Sequence, residues 1–597
     1  MAGEKPPRRG YRQSWGANFV DDGVVRFRLW APREKSVGLV LNGTEQPMRK
    51  EDGGWFETTV RNVAAGTPYL FRLSDGRAIA DPASSAQEGD VHGASIVVDP
   101  TSYVWKNESW EGRPWEEAVV YELHIGTFTP EGTFRAAASR LSHLKAAGIT
   151  CIEIMPVAQF PGTRGWGYDG VLHYAPHNAY GTPDDLRTLV DEAHSHGIMV
   201  LLDVVYNHFG PEGNYLSQYA PAFFRNDRET PWGAAISFEQ DAVRRYFIEN
   251  ALYWIGDFRF DGFRFDAAEQ MVDSSSPPFL SEMAQTLQKT FPGQVLHLVV
   301  EDQLSRRSLL AREDNGRPAL YTASWNDDFH HLLHVIATGE AVGHYENYGE
   351  DYWRMLGKSL ADGFVFSKED TIKGQAPPPP QAYVNFLQNH DQIGNRAFGE
   401  RLPALAGGQL IEVLTALLLL APQIPLLFMG EEYGEDRPFF FFADYEGNIA
   451  HATRAGRKAE ADNFGGMPDG KSLEDLPDPV SADNFRASKL DWSKAASPGG
   501  REKIAFLRQL IELRRKHVVP LLARAGAVSS EILKTDDGVV AVDWSFPSGT
   551  LRLRANLTDR PEPLPPALGE TVFALDHAED GYAILVTVDA ATGTSRS

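Results

Sequence analysis

IMVLLDVVYNH, residues 198 to 208, is an almost unbroken apolar run that turns polar at its carboxyl end. Such a run reads as a strand buried on both faces, the kind found in parallel sheets covered by helices. Asp203 sits within it, and Asn207 and His208 follow. One polar strand end is ordinary, because polar residues often open a loop. What decides the fold is whether other strands end the same way.

They do. Upstream, AVVYELHI (118–125) and ITCIEIM (149–155) are apolar runs of similar length. Downstream come GFRFDAA (262–268), VLHLVVED (295–302), LYTASW (320–325), AYVNFLQNHD (382–391) and IPLLFMGEE (424–432). Amphipathic stretches lie between them. TFRAAASRLSHLKAAG (133–148) predicts a helix ending at Gly148, and TPDDLRTLVDEAHSHG (182–197) predicts one capped by Thr182 with Pro183 at its first position. EQDAVRRYFIENALYWIGD (239–257) and REKIAFLRQLIELRRKH (501–517) predict two more. Eight strands alternating with helices argue for a (β/α)8 TIM barrel. An open doubly wound sheet fits less well, since no Gly-rich phosphate loop follows the first strand.

The flanks differ. Residues 14–105 hold short alternating runs such as VVRFRLWAP and TPYLFRL, punctuated by Gly, Pro and Asn, and the chain turns β-rich again from about 518. The expected architecture is multidomain α/β: an N-terminal β-sandwich over 1–105, the barrel over 106–517 and a C-terminal β-sandwich over 518–597. The apolar run VLTALLLLAPQIPLLFMG, broken by Pro422 and Pro425, reads as helix, turn and strand rather than a membrane span. GQAPPPPQ (374–381) reads as a stiff surface loop.

Composition narrows the partners. A formal net charge of −24 over 597 residues opposes nucleic acid and anionic membranes, and suits a neutral ligand. The one cysteine, Cys151, lies in an apolar strand and reads as a buried thiol in a reducing compartment, the cytoplasm. The opening MAGEKPPRRGYRQSWG has basic residues with no apolar run behind them, so no secretory leader is expected.

In such barrels reactive residues stand at the carboxyl ends of the strands. Those ends carry Asp203, Asn207 and His208; Arg264, Asp266 and Glu269; Glu301 and Asp302; and His390 and Asp391. Asp266, Glu301 and Asp391 therefore converge with Arg264 and two histidines. Glycoside cleavage uses one carboxylate at the anomeric carbon and one carboxylic acid at the leaving oxygen. Arg264 precedes Asp266 by two residues, so both face one side of a strand and the guanidinium can keep Asp266 ionised. Two histidines and three carboxylates could also build a divalent site, but neither strand-end histidine belongs to an HExxH or HxH pattern, so neither a metal nor another cofactor is expected. His331 and His334 read as helix surface.

DVVYNH, GFRFDAAE, the Glu301 strand end and NHD, in that order, resemble the signature regions of the α-amylase family of glycoside hydrolases. The resemblance implies that Asp266 is the nucleophile, Glu301 the acid/base and Asp391 the transition-state stabiliser. It implies that His208, Arg264 and His390 line the sugar site with Asp203, and that Tyr168 in GWGYDG stacks on the sugar. NHFGPEGNYL, SWNDDFHHLLHV, FLQNHDQIGNRA and MGEEYGEDRPFFFFADY resemble the family's trehalose-releasing branch. That implies maltooligosyl-trehalose and related α-glucans as substrates, cut at the α-1,4 bond beside the terminal trehalose. A glycogen-branching α-glucan transferase on the same scaffold is the alternative. Tyr433, Phe439 and Phe440 are candidates for reading the trehalose end, though FFFF (439–442) equally suits a core. The segment from His208 to Phe238 is too short for a large calcium-binding insertion, and Asn207 is expected to be structural.

Overall fold

Eight parallel strands close on one another: β1 (Val120–Leu123), β2 (Cys151–Ile154), β3 (Met199–Val204), β4 (Gly262–Phe265), β5 (His297–Val300), β6 (Ala323–Trp325), β7 (Tyr383–Phe386) and β8 (Ile424–Phe428). They pair in chain order, and β8 returns to β1 with Leu426 opposite Val120. Each is the apolar run read from the sequence. The computed structural model describes residues 13–590 apart from 368–376, 462, 465, 469, 524–525 and 578. Residues 1–12 of the opening segment and residues 374–376 of the Pro-rich loop lie outside the described residues.

Alternate strand residues fill the barrel interior: Val120, Cys151, Leu201, Val299, Trp325, Phe386 and Leu426 form one buried cluster. Cys151 is wholly buried and burial pushes its thiol up, so it packs as a small apolar residue.

The helices follow local chemistry. In α1 (Pro183–Ser195) Thr182 and Asp185 form a reciprocal capping box, with Pro183 in the first turn. The apolar run near residue 420 divides as expected into α5 (Gly408–Leu420) and β8. The stretch 133–148, expected as one helix, is two: Phe134–Ala138 and Leu141–Ala147. At the break the Ser139 hydroxyl donates back to the Ala136 carbonyl at 2.6 Å, a local bond that competes with helix continuation. Gly148 ends the second helix at φ 103°, as its position suggested.

The N-terminal region folds as two antiparallel sheets whose facing sides bury Val25, Phe27 and Leu29 from one and Leu39, Tyr69 and Phe71 from the other. Trp15 fastens this unit to the barrel. Its ring lies edge-on to Tyr246 and its indole N–H donates to the Ala242 carbonyl, both in α2 (Asp241–Phe258). The C-terminal β-rich region is one five-stranded antiparallel sheet in the described residues, running from Ser529–Asp536 to Ala583–Ala590. Its second layer comes from the barrel, through α4 (Tyr352–Asp362) and α5. The buried Trp544 donates to the Leu360 carbonyl at 3.1 Å. Gly357 lets helix and sheet approach so closely that a Cβ there would meet Thr535 Cγ2 at 2.3 Å.

Candidate active site

The strand ends converge as the sequence reading expected, and Arg264 is their centre. Its side chain, on β4, is fully buried. One nitrogen, Nη1, donates to Asp203 Oδ2 at 2.8 Å and to Asp266 Oδ1 at 2.9 Å. The other, Nη2, donates to Glu301 Oε2 at 2.6 Å. The guanidinium lies 4.2 Å above the ring of Trp325 from β6, so an aromatic face floors the cation while three carboxylates surround it. A buried carboxylate cluster is costly unless a cation and hydrogen bonds compensate it, and here one planar fork serves three acceptors.

Asp266 is held from the other side as well. Asn207 Nδ2 donates to Asp266 Oδ2 at 2.7 Å and to the Asp266 carbonyl at 2.8 Å. The expectation that Asn207 is merely structural is thereby sharpened: it fixes the rotamer of the candidate nucleophile. Glu301 Oε2 also accepts from the Ala267 backbone N–H at 3.0 Å. Ala267 has φ 40°, left-handed for a residue with a Cβ, and this strained turn aims its N–H at Glu301. Burial lifts the Glu301 carboxyl above its ordinary value; Arg264 opposes the lift and the Asp266 charge adds to it.

His390 and Asp391 open the short helix that follows β7, where the Asn389 side chain caps the Gln392 N–H. His390 Nδ1 lies 2.5 Å from Glu122 Oε1, and the His390 backbone N–H donates to Glu122 Oε2 at 3.0 Å. Its Nε2 lies 3.5 Å from Asp391 Oδ1. Burial pulls the imidazole down, but Glu122 and Asp391 outweigh it and lift His390 to about 9. It is therefore a cation at neutral pH. Tyr168 stacks on it, with ring centroids 5.0 Å apart, and donates its hydroxyl to Asp203 at 2.6 Å. Asp391 itself stays open to the cleft, its side chain 38% exposed.

His208 is buried, with Nε2 2.9 Å from the Tyr168 carbonyl and Nδ1 against Asn207 Oδ1. The indole of Trp232 lies parallel to its ring at 4.6 Å. Trp232 stands half-exposed at the tip of a hairpin formed by Phe224–Thr230 and Gly233–Ile236. The sequence reading weighed this segment only for its length and so passed over Trp232.

Other residues were also missed, or were placed elsewhere. Asp327 follows β6 and is a further carboxylate beside the cleft. Burial, with Glu301 and Asp391 nearby, pushes it up to about 8. The polar strand end SWND carried the signal that revealed the other four. Glu122 gave no such signal, since it lies inside a strand. Asp302 turns away from the site and accepts from the Arg306 backbone and side chain. Glu269 sits at the rim, in contact with Gln270 and Gln303. His334 is not on a helix surface. It is 3% exposed, stacks on Tyr345 at 4.2 Å and pairs with Glu340, because α3 (Asp327–Thr338) buries that face under the 345–348 turn. His331 is partly buried and stacks on Tyr348. Tyr433 and Phe439 are core residues, packed on Trp492 and on Trp166 respectively, while Phe440 is partly exposed.

Residues 68–231 match the model of the alpha amylase catalytic domain, and residues 532–590 match a domain of unknown function. A Deinococcus radiodurans protein named malto-oligosyltrehalose trehalohydrolase is 41% identical over 526 residues, 85% of this chain and 84% of the relative. One of the same name from Saccharolobus solfataricus is 39% identical, covering 84% of this chain and 87% of the relative. A crystal structure of a Salmonella typhimurium protein, provisionally assigned as an alpha amylase, superposes with a TM-score of 0.92 at 49% identity, covering 97% of this chain and all of that one. A Corynebacterium jeikeium 1,4-alpha-glucan branching enzyme is more distant, at 28% identity over 70% of this chain and 62% of its own length. The chain belongs to the malto-oligosyltrehalose trehalohydrolase family of alpha-amylase-type glycoside hydrolases.

Proposed function

We propose that Asp266, Glu301 and Asp391 carry out a retaining double displacement on maltooligosyl-trehalose, cutting the α-1,4 bond beside the terminal trehalose. The observation that supports this most is the single Arg264 fork, which binds both Asp266 and Glu301. It fixes the position of the Asp266 carboxylate, which must attack. Glu301 is lifted by burial and by its neighbour's charge, which suits the acid that protonates the leaving trehalose. Asp391 faces the cleft beside the His390 cation. We assign Tyr168, Asp203, His208, Arg264 and His390 to the sugar site, with Asp203 and Arg264 acting from beneath as positioning groups.

The acceptor is water in this reading. A branching transferase would use the same carboxylates and pass the glycan to a sugar 6-hydroxyl; the branching-enzyme relative is the more distant match, at 28% identity. The proposed domain limits are 1–105, 106–517 and 518–597. No helix of the described residues is long and apolar enough to cross a membrane. A cytoplasmic setting suits the lone buried thiol.

Product analysis on maltooligosyl-trehalose tests the reading. That substrate has no reducing end, so hydrolysis must yield trehalose and new reducing ends in equal molar amounts, with little α-1,6 linkage. A matched maltooligosaccharide should be cut more slowly, because its terminal disaccharide has the wrong linkage for the leaving-group site. Abundant α-1,6 branches, or equal rates on both substrates, would replace this reading with a transferase or a general amylase.

A further inference from the structure

At the opposite end of the barrel from the carboxylates lies a second cavity, of about 470 Å3. Val119 and Thr150, which line it, immediately precede β1 and β2, so it opens at their amino ends. Its other walls are the end of the Leu141–Ala147 helix and the closing helix α6 (Pro498–Leu513) with the turn that follows.

Its charge is opposite to that of the molecule. The chain carries −24, yet five cations line this cavity: Arg113, Lys145, Arg508, Arg514 and Arg515. Two carboxylates face them. Glu117 is already bound by Arg113 at 2.6 Å, which leaves Glu512. Among the described residues Lys145, Arg508 and Arg515 have no carboxylate partner. Arg113 and Lys145 crowd the same space. A Cβ on Gly197 would stand 3.6 Å from Arg113 Nη1 and 3.7 Å from Lys145 Nζ. Burial and the Arg113 charge both draw the Lys145 ammonium down.

Arg514 supplies an independent observation. It is 1% exposed and donates to the carbonyls of Leu419, Ala421 and Gln423 at 3.1, 2.5 and 2.7 Å, so it also caps α5. Its Nε is buried without a hydrogen-bond partner among the described residues. No carboxylate offsets its charge, and burial alone takes it down to about 9. A buried guanidinium is ordinarily paired with an anion, whereas carbonyl oxygens alone hold this one. Arg514 to Val518 form a single π-turn, a form that recurs at functional sites and here brings Arg514 and Arg515 to one rim.

We propose that this cavity binds a small phosphorylated molecule. Lys145, Arg508 and Arg515 hold the phosphate, and the apolar floor of Val119, Ile511 and Val519 receives the organic part. Arginine forks match tetrahedral phosphate oxygens in geometry as well as charge. A cavity of this size suits a metabolite rather than a polymer, and the net charge of −24 on the whole chain opposes nucleic acid. The site lies on the barrel face that carries no strand-end carboxylate, so it does not depend on the assignment of the active site.

Isothermal titration of the full chain at fixed ionic strength tests it, with inorganic pyrophosphate and adenosine 5′-diphosphate as probes and sodium chloride as the background salt. Saturable binding of one equivalent is expected. Tighter binding of the nucleotide would assign the floor to an organic group; equal affinity would make the site one for inorganic phosphates. Arg508→Ser with Arg515→Ser, both at exposed positions, should weaken binding at least about tenfold. The charge-matched control pair Arg49→Ser with Arg354→Ser, far from the cavity, should leave it unchanged. No saturable binding, a stoichiometry well above one, or equal weakening in the control pair would overturn the proposal.

Discussion

Glu122, on the first barrel strand, grips His390 through both carboxylate oxygens, taking Nδ1 at 2.5 Å and the backbone N–H at 3.0 Å. The pair is wholly buried, so Glu122 sets both the charge and the orientation of an imidazole at the cleft. His390 is held at about 9, above the ordinary histidine value of 6.5. A folded-state value raised in this way contributes stability that is complete below about pH 6.5 and is lost as pH rises through about 9. Glu122→Gln should therefore cost about 3–5 kcal/mol at pH 6, by leaving a buried charge half-compensated. The difference from wild type should shrink by pH 9.5. Denaturant unfolding at the two pH values checks this; a pH-independent difference would separate His390 from the effect.

Asp266→Asn keeps the size of the side chain but removes the charge of the proposed nucleophile. Turnover should fall by at least about 10^3-fold while substrate binding survives. Single-turnover kinetics with equilibrium binding of maltooligosyl-trehalose measure both, and near-normal turnover would remove Asp266 from the mechanism.

Glu301 is raised by burial and by Asp266. The alkaline limb of kcat/KM, which reports loss of the acid, should thus lie above the ordinary carboxylate range. Glu301→Gln should abolish cleavage of the natural substrate yet spare the first step on a glycoside with an activated leaving group. Equal loss on both substrates would count against the acid role.

Trp232 lies parallel to His208 and is half-exposed, so its outer face is free to meet a sugar. Trp232→Ala should raise KM about tenfold and lower the unfolding midpoint only modestly, since half of its surface is already exposed. A fall in midpoint with unchanged KM would make the residue a support for the hairpin instead.

Asn207 commits its amide nitrogen to Asp266, and its oxygen faces His208. Chelation should therefore leave activity and Tm unchanged. A loss restored by calcium would show that the segment from His208 to Phe238 does hold a cation.

The sequence by itself determined the barrel and most of the residues that meet at its candidate site. Eight apolar runs alternating with amphipathic stretches can bury themselves only as parallel strands covered by helices, and period-two geometry places Arg264 and Asp266 on one face. The carboxyl ends of those runs alone point to Asp266, Glu301, Asp391, His208 and His390. What the sequence did not carry are contacts made by closure. Glu122 meets His390 across 268 residues, because β8 closes onto β1 and carries β7 on its other side. The same holds for Trp325 beneath Arg264, Trp232 over His208, and the burial of His334, whose helical spacing reads equally as surface. The break at Ser139 and the single C-terminal sheet, backed by α4 and α5, were also settled only in three dimensions. Local pattern specifies which face of an element is apolar; which neighbour covers that face depends on the rest of the chain, and only the tertiary structure decides it.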